Sequence, residues 1–233
     1  MLLIKHLANL NSYNHLISLS NIWNWKRIRQ IKREKEVIFG AFPFSLRQDV
    51  ECVINILPFD RNIRYRFEQE INVDNLIHQD KISILLNNEV LKIPARIYFN
   101  EPSRDKENDL TDLQKDILNC FYLMHHDGFV RQKRLELLLD KNDYFIIPFK
   151  FYLLGEYVVE ILEDLKKHIT NDSVDSFVKF ANENEKYFIR IESKMASFWN
   201  AHYRWKFQKL NQYVGRQNID KIKNRMSKIS RST

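Results

Sequence analysis

A chain of 233 residues with 44% hydrophobic content can bury the core of one large domain or two small ones. Four glycines exclude most glycine-rich phosphate loops, and two cysteines form no metal-binding or disulfide pattern. The net charge of +7 is unevenly spread: residues 1–100 hold 14 basic and 10 acidic side chains, 101–185 hold 11 and 18, and 186–233 hold 12 and 2. Such asymmetry bears on partners rather than on fold.

The opening Met1-Leu2-Leu3-Ile4 is interrupted by Lys5 without a small-residue cleavage site, so no signal peptide is expected. No apolar run approaches the ~20 residues that span a bilayer. Cys52 and Cys120 read as small core side chains in a reducing compartment. The expectation is a soluble, cytoplasmic protein without membrane contact. The oligomeric state stays open.

Ser20 is placed to cap a helix through Ile22, Trp23, Trp25, Ile28 and Ile31 to Phe39, with Gly40 as its stop. Its polar side carries Lys26, Arg27, Arg29, Lys32, Arg33 and Lys35, either an anion-binding face or a solvated one. Ser45 with Gln48 has capping-box spacing for a helix through Val50, Val53, Ile54 and Leu57, ended by Pro58. Asp60 could cap a short basic helix with Arg61, Arg64 and Arg66.

At Ile82 the texture changes. Residues 82–99 read as a β-hairpin turning at Asn87-Asn88, with Pro94 confined to an edge or a bulge. An open edge there could recruit a partner strand. Glu101 to Asp109 is a polar connector and a candidate boundary. It divides a helical N-terminal region, 1–100, from a helical-hairpin region, 110–233, unless the chain is one continuous domain.

Thr111 and Gln114 form a second capping-box pair, followed by Leu113, Ile117, Phe121 and Met124 on one helix face. Gly128 suits a helix exit. Val130, Leu135, Leu138 and Leu139 make a second face, Pro148 fits the first turn of a third helix, and Val158, Ile161, Leu162 and Leu165 mark a fourth. The turns Asp127-Gly128-Phe129-Val130 and Gly155-Glu156-Tyr157-Val158 repeat at an offset of 28 residues. With the Val130-Arg131 pair and the leucine-rich second helix, residues 111–169 resemble a degenerate HEAT-type repeat. They depart from that pattern at Arg134 and Val159. The resemblance implies stacked helix pairs presenting a surface to macromolecules, and no catalytic residues.

Asp172 or Ser173 could cap the next helix. Phe188, Ile191, Met195, Phe198, His202 and Trp205 then follow at helical steps, and Gly215 is expected to end that helix. Ile219, Ile222, Met226 and Ile229 keep the spacing of a final amphipathic helix, with Ser230 to Thr233 fraying.

The fold class expected is mainly α: helical hairpins packed as a bundle or short α-solenoid, with one small β-hairpin at 82–99. His125-His126-Asp127 invites a metal or acid–base reading, but adjacent helical residues diverge by about 100° and do not readily meet one ion. No catalytic residue, metal site or cofactor is expected. Glu156, Glu160, Glu163 and Asp164 form an acidic patch after the second turn, a candidate surface for a protein partner, with Arg131, Lys133 and Arg134 as alternative internal partners. Arg204, Lys206, Lys209, Arg216, Lys221, Lys223 and Arg225 form the basic alternative, in which phosphates are neutralised beside aromatics. The functional expectation is a non-enzymatic helical protein-binding module, of immunity or inhibitor type, acting through charged surfaces. The alternative is a nucleic-acid-associated protein using the basic C-terminal region.

Overall fold

Local signals place some of the helices. In the computed structural model, which describes residues 25–59, 63–66, 69–72 and 75–232, Thr111 caps a helix as its spacing requires. Its hydroxyl accepts the Gln114 N–H at 3.3 Å, and Gln114 Oε1 accepts the Thr111 N–H at 3.1 Å. In chain order the helices are α1 (25–39), α2 (Arg47–Ile56), α3 (Arg104–Asn108), α4 (Asp112–Tyr122), α5 (Gly128–Glu136), α6 (Ile147–Tyr152), α7 (Val159–His168), α8 (Val174–Glu183), α9 (Glu185–Phe198) and α10 (Val214–Ser232). Two antiparallel hairpins lie between α2 and α3: β1 (Ile63–Arg66) with β2 (Gln69–Asn72), and β3 (Lys81–Leu86) with β4 (Glu89–Pro94). The fold is mainly α, with the hairpin expected near 82–99 in place.

The β3–β4 turn is Asn87-Asn88, with φ of 49° and 68°, the left-handed pair that a two-residue hairpin turn demands. The ladder stops at Pro94, which has no N–H to continue it. The chain bends there, and Arg96 and Tyr98 pair instead with His78 and Leu76. Each outer edge of this hairpin is partly covered. The side chain of Asn184 accepts the Leu85 N–H at 2.7 Å and returns a bond to the Leu85 carbonyl at 2.8 Å, imitating a strand. On the other side the Lys92 N–H donates to the Gly40 carbonyl at 2.7 Å.

Apolar side chains from Ile38 to Ile222 form one continuous core cluster that crosses the 101–109 connector. α2 packs on α4, α4 on α5, α5 on α7, and α10 on α7, α8 and α9. Phe151 meets Phe180 at 4.8 Å and Phe188 at 5.4 Å between ring centroids.

Several local expectations are corrected. The segment expected as a basic helix with Arg64 and Arg66 is strand β1, while its expected cap, Asp60, and Arg61 lie outside the described residues, as do Ser20, Ile22 and Trp23. Ser45 does not cap α2, which is entered through a short 3-10 turn. Ser173 precedes α8, but its hydroxyl donates to the His168 carbonyl at 2.6 Å and caps no α8 N–H. Gly128 opens α5 rather than closing α4, and Asp127 caps it by accepting the Phe129 N–H at 2.9 Å. Cys52 is exposed and only Cys120 is buried.

The long C-terminal helix is broken. A π turn at Trp199–Tyr203 follows α9, and its wider winding rotates the apolar stripe, so Trp205 emerges 80% exposed. Gly215 lies inside α10, where a Cβ would come within 2.9 Å of Met195 on α9 and 2.8 Å of the Tyr213 ring. Glycine is there for close approach, not for a stop. α10 continues to Ser232.

Candidate functional site

Three cationic side chains from the turn region are almost wholly buried: Arg131, Arg134 and Lys150. Burying a charge is costly unless it is paired and hydrogen-bonded, so what each one touches assigns its work. Arg134 uses every donor of its fork, reaching Glu101, Glu107 and Asn119 at 2.5–3.0 Å. This fixes the connector to α5. Burial opposes the ionised form of Glu101, but Lys133 and Arg134 hold its pKa below the ordinary value. Lys150 donates to the carbonyls of Leu138 and Lys141 at 2.9 and 2.7 Å, tying α6 to the end of the α5 turn.

Arg131 donates to the carbonyls of His125 and His126 at 2.6 and 3.0 Å, and its other terminal nitrogen lies 3.1 Å from Glu156. His125 is occupied at both ring nitrogens: Nε2 faces the Phe99 carbonyl at 2.9 Å, and Nδ1 accepts the Asp127 N–H at 3.1 Å. A proton on Nε2 satisfies both bonds, and burial lowers the pKa of this histidine. His125-Asp127 thus works as a turn fastener. Among the described residues no group of three His, Cys, Asp or Glu side chains is arranged to hold a metal.

The acidic patch does not stay together. Glu156 precedes α7 and is 2% exposed, because the chain leaves a 3-10 turn at Gly155 and enters α7 only at Val159. It therefore does not share a helical face with Glu160 and Glu163, which are the exposed members. Asp164 is buried and accepts bonds from Gln132 at 2.7 Å and Lys167 at 2.6 Å.

The basic C-terminal set divides as well. Arg216 and Lys223 bind Glu192 at 2.8 and 2.6 Å, Arg225 binds Asp175 at 2.6 Å, and Lys221 donates to the Ile169 carbonyl. These four hold α10 in place. Arg204, Lys206 and Lys209 are exposed and face no carboxylate within ion-pair distance among the described residues.

A cationic surface also forms where the sequence showed only half of it. Arg29, Lys32 and Arg33 of α1 face Lys81 of β3 and Lys92 of β4 across a groove of about 510 Å³. Val37 and Gly40 contribute to its floor, and Glu36 is the one acid in its lining. Among the described residues no carboxylate pairs with Lys32, Arg33, Lys81 or Lys92. Arg29 stacks 4.3 Å over the ring of Trp25, which is 61% exposed.

Comparison with protein-family models, curated proteins and solved structures finds no match. The two turns that suggested a helical repeat are also built differently. α5 begins one residue after Asp127 with a side-chain cap, whereas α7 begins four residues after Gly155, behind Val158, with none. No described helix is long and apolar enough to cross a membrane.

Proposed function

We propose that this chain is a non-enzymatic helical binding module that holds an acidic segment of another protein in the groove between α1 and the β3–β4 hairpin. The supporting observation is the groove itself: five cations and one acid around a floor that includes Val37. Aliphatic lysine and arginine stems give such a groove apolar walls below charged rims. That combination suits a protein segment with both apolar and acidic side chains. Trp25, stacked under the Arg29 that lines the groove, is the kind of aromatic anchor that dominates protein interfaces. An inhibitor or immunity protein also works by covering a face of its partner, and this role is part of the proposal.

A second reading has its own observation. Arg204, Lys206 and Lys209 lie close in the chain to the exposed Trp205, a mixture that suits phosphates and an unstacked base. A labelled glutamate- and leucine-rich peptide and a single-stranded oligonucleotide of equal charge, titrated at low salt, separate the two. Tighter binding of the peptide supports the groove proposal. Binding of the oligonucleotide alone transfers the function to the second reading.

A further inference from the structure

Around Tyr152 the positive charges outnumber the acids. Arg131, from α5, donates through one terminal nitrogen to two backbone carbonyls and faces Glu156 with the other. The other oxygen of Glu156 accepts the Tyr157 N–H at 2.8 Å. Two more cations share this neighbourhood. Arg96 NH2 lies 3.6 Å from Glu156 Oε2, beyond hydrogen-bond reach, and its NH1 donates to the Tyr152 hydroxyl at 3.0 Å. Lys194, on α9, lies 5.0 Å from the Tyr152 ring centroid and 5.5 Å from that of Phe198, and meets no acceptor among the described residues.

Close packing puts the ammonium there. Gly155 allows the Lys194 stem to pass: a Cβ at that position would lie 3.2 Å from Lys194 Cδ and 3.2 Å from Ile191 Cδ1. The interior of the cluster is incompletely satisfied. Arg131 is fully buried, yet its Nε and NH2 have no aligned hydrogen-bond acceptor, and neither does Glu156 Oε2 a donor. The outer side is accessible, with the Arg96 side chain 23% exposed and Tyr157 46% exposed at the rim.

We infer that Arg96 and Lys194 form a binding site for a doubly charged oxyanion of the phosphate class. Glu156 is shared between Arg131 and Arg96 and offsets one of the three cations, so the cluster keeps two positive charges and matches a dianion. A guanidinium fork can take two oxygens while the ammonium takes a third. Arg131 and Tyr152 position the site from behind. Burial lowers the Lys194 pKa; Glu156 opposes that shift, and the like charges of Arg96 and Arg131 add to it, as expected where an anion would be welcome. The site shares no residue with the α1–hairpin groove.

The test is calorimetric titration of the full chain with inorganic phosphate and with phenyl phosphate, against chloride at matched ionic strength. Saturable binding of either is expected, weakened at least about tenfold in both Lys194→Met and Arg96→Gln, with unchanged circular dichroism. Tighter binding of phenyl phosphate than of phosphate would mean that the group arrives on a larger molecule, resting on Tyr157 and Phe198. If Lys194→Met does not fold, Arg96→Gln alone decides. No saturable binding by wild type, or equal affinity in the folded variants, overturns the inference.

Discussion

Arg131 and Glu156 face each other at 3.1 Å, and both side chains are 1% exposed. The pair joins the turns at 127–130 and 155–158, since Arg131 also holds the carbonyls that lead into the first and Glu156 belongs to the second. Removing one partner leaves a buried charge uncompensated, at a cost of roughly 3–5 kcal/mol. Glu156→Gln and Arg131→Met should each lower stability by about that much in urea unfolding. The double variant should lose less than the sum of the two, which a double-mutant cycle measures.

Lys150 gives stability an alkaline slope. Burial lowers its pKa from 10.5 to about 8. Between those values the unfolded chain binds more protons than the folded one, so stability rises with pH. Buried Cys120, whose thiol pKa is raised well above its ordinary 9.0, opposes the trend above pH 9, and buried Tyr122 and Tyr187, also raised by burial, reverse it above pH 10. Urea midpoints should therefore climb from pH 8 to pH 9 and level off above it. In Lys150→Met the climb should be shallower, with the part due to Lys194 remaining.

His168 acts at the acid end. Burial, then the nearby Lys150 charge, lower its pKa from 6.5 to about 3. The unfolded chain again binds more protons in that window, so stability is lost as pH falls below 6.5, by about 1.4 kcal/mol per pH unit at full slope. His125 is shifted the same way and adds to the loss. Thermal unfolding of His168→Gln between pH 6.5 and pH 5 should show a shallower decline than wild type. An identical decline would assign the effect elsewhere.

Gly215→Ala places a Cβ 2.8–2.9 Å from the Tyr213 ring and Met195. The intrinsic helix propensity of alanine favours the change by about 1 kcal/mol, and overpacking opposes it by about 1–3 kcal/mol. Net destabilisation is expected, seen as a lower urea midpoint. A gain would show that α9 and α10 separate easily.

What was legible in the sequence was local. Thr111 with Gln114, the asparagine pair of the hairpin and the spacing of Ile117, Phe121 and Met124 carry their signals within a few residues. What was hidden depended on contacts distant in the chain. Glu156, Glu160 and Glu163 keep helical spacing on paper, but the helix starts after Glu156. Ile63 and Tyr65 alternate with Arg64 and Arg66, a strand period masked by basic composition. The π turn that releases Trp205 leaves the apolar spacing before it intact. Half of the groove, Lys81 and Lys92, sits on a hairpin far along the chain from Arg29, Lys32 and Arg33.

The groove proposal is tested most directly by fluorescence anisotropy of the labelled acidic peptide with wild type and with Lys32→Glu/Lys92→Glu. Both lysines are exposed and without a carboxylate partner among the described residues, so the double variant should fold. Saturable binding by wild type that falls at least about tenfold in the variant, or about 1.4 kcal/mol, is the expected result. No saturable binding by wild type, or equal affinity in the two proteins, would contradict it.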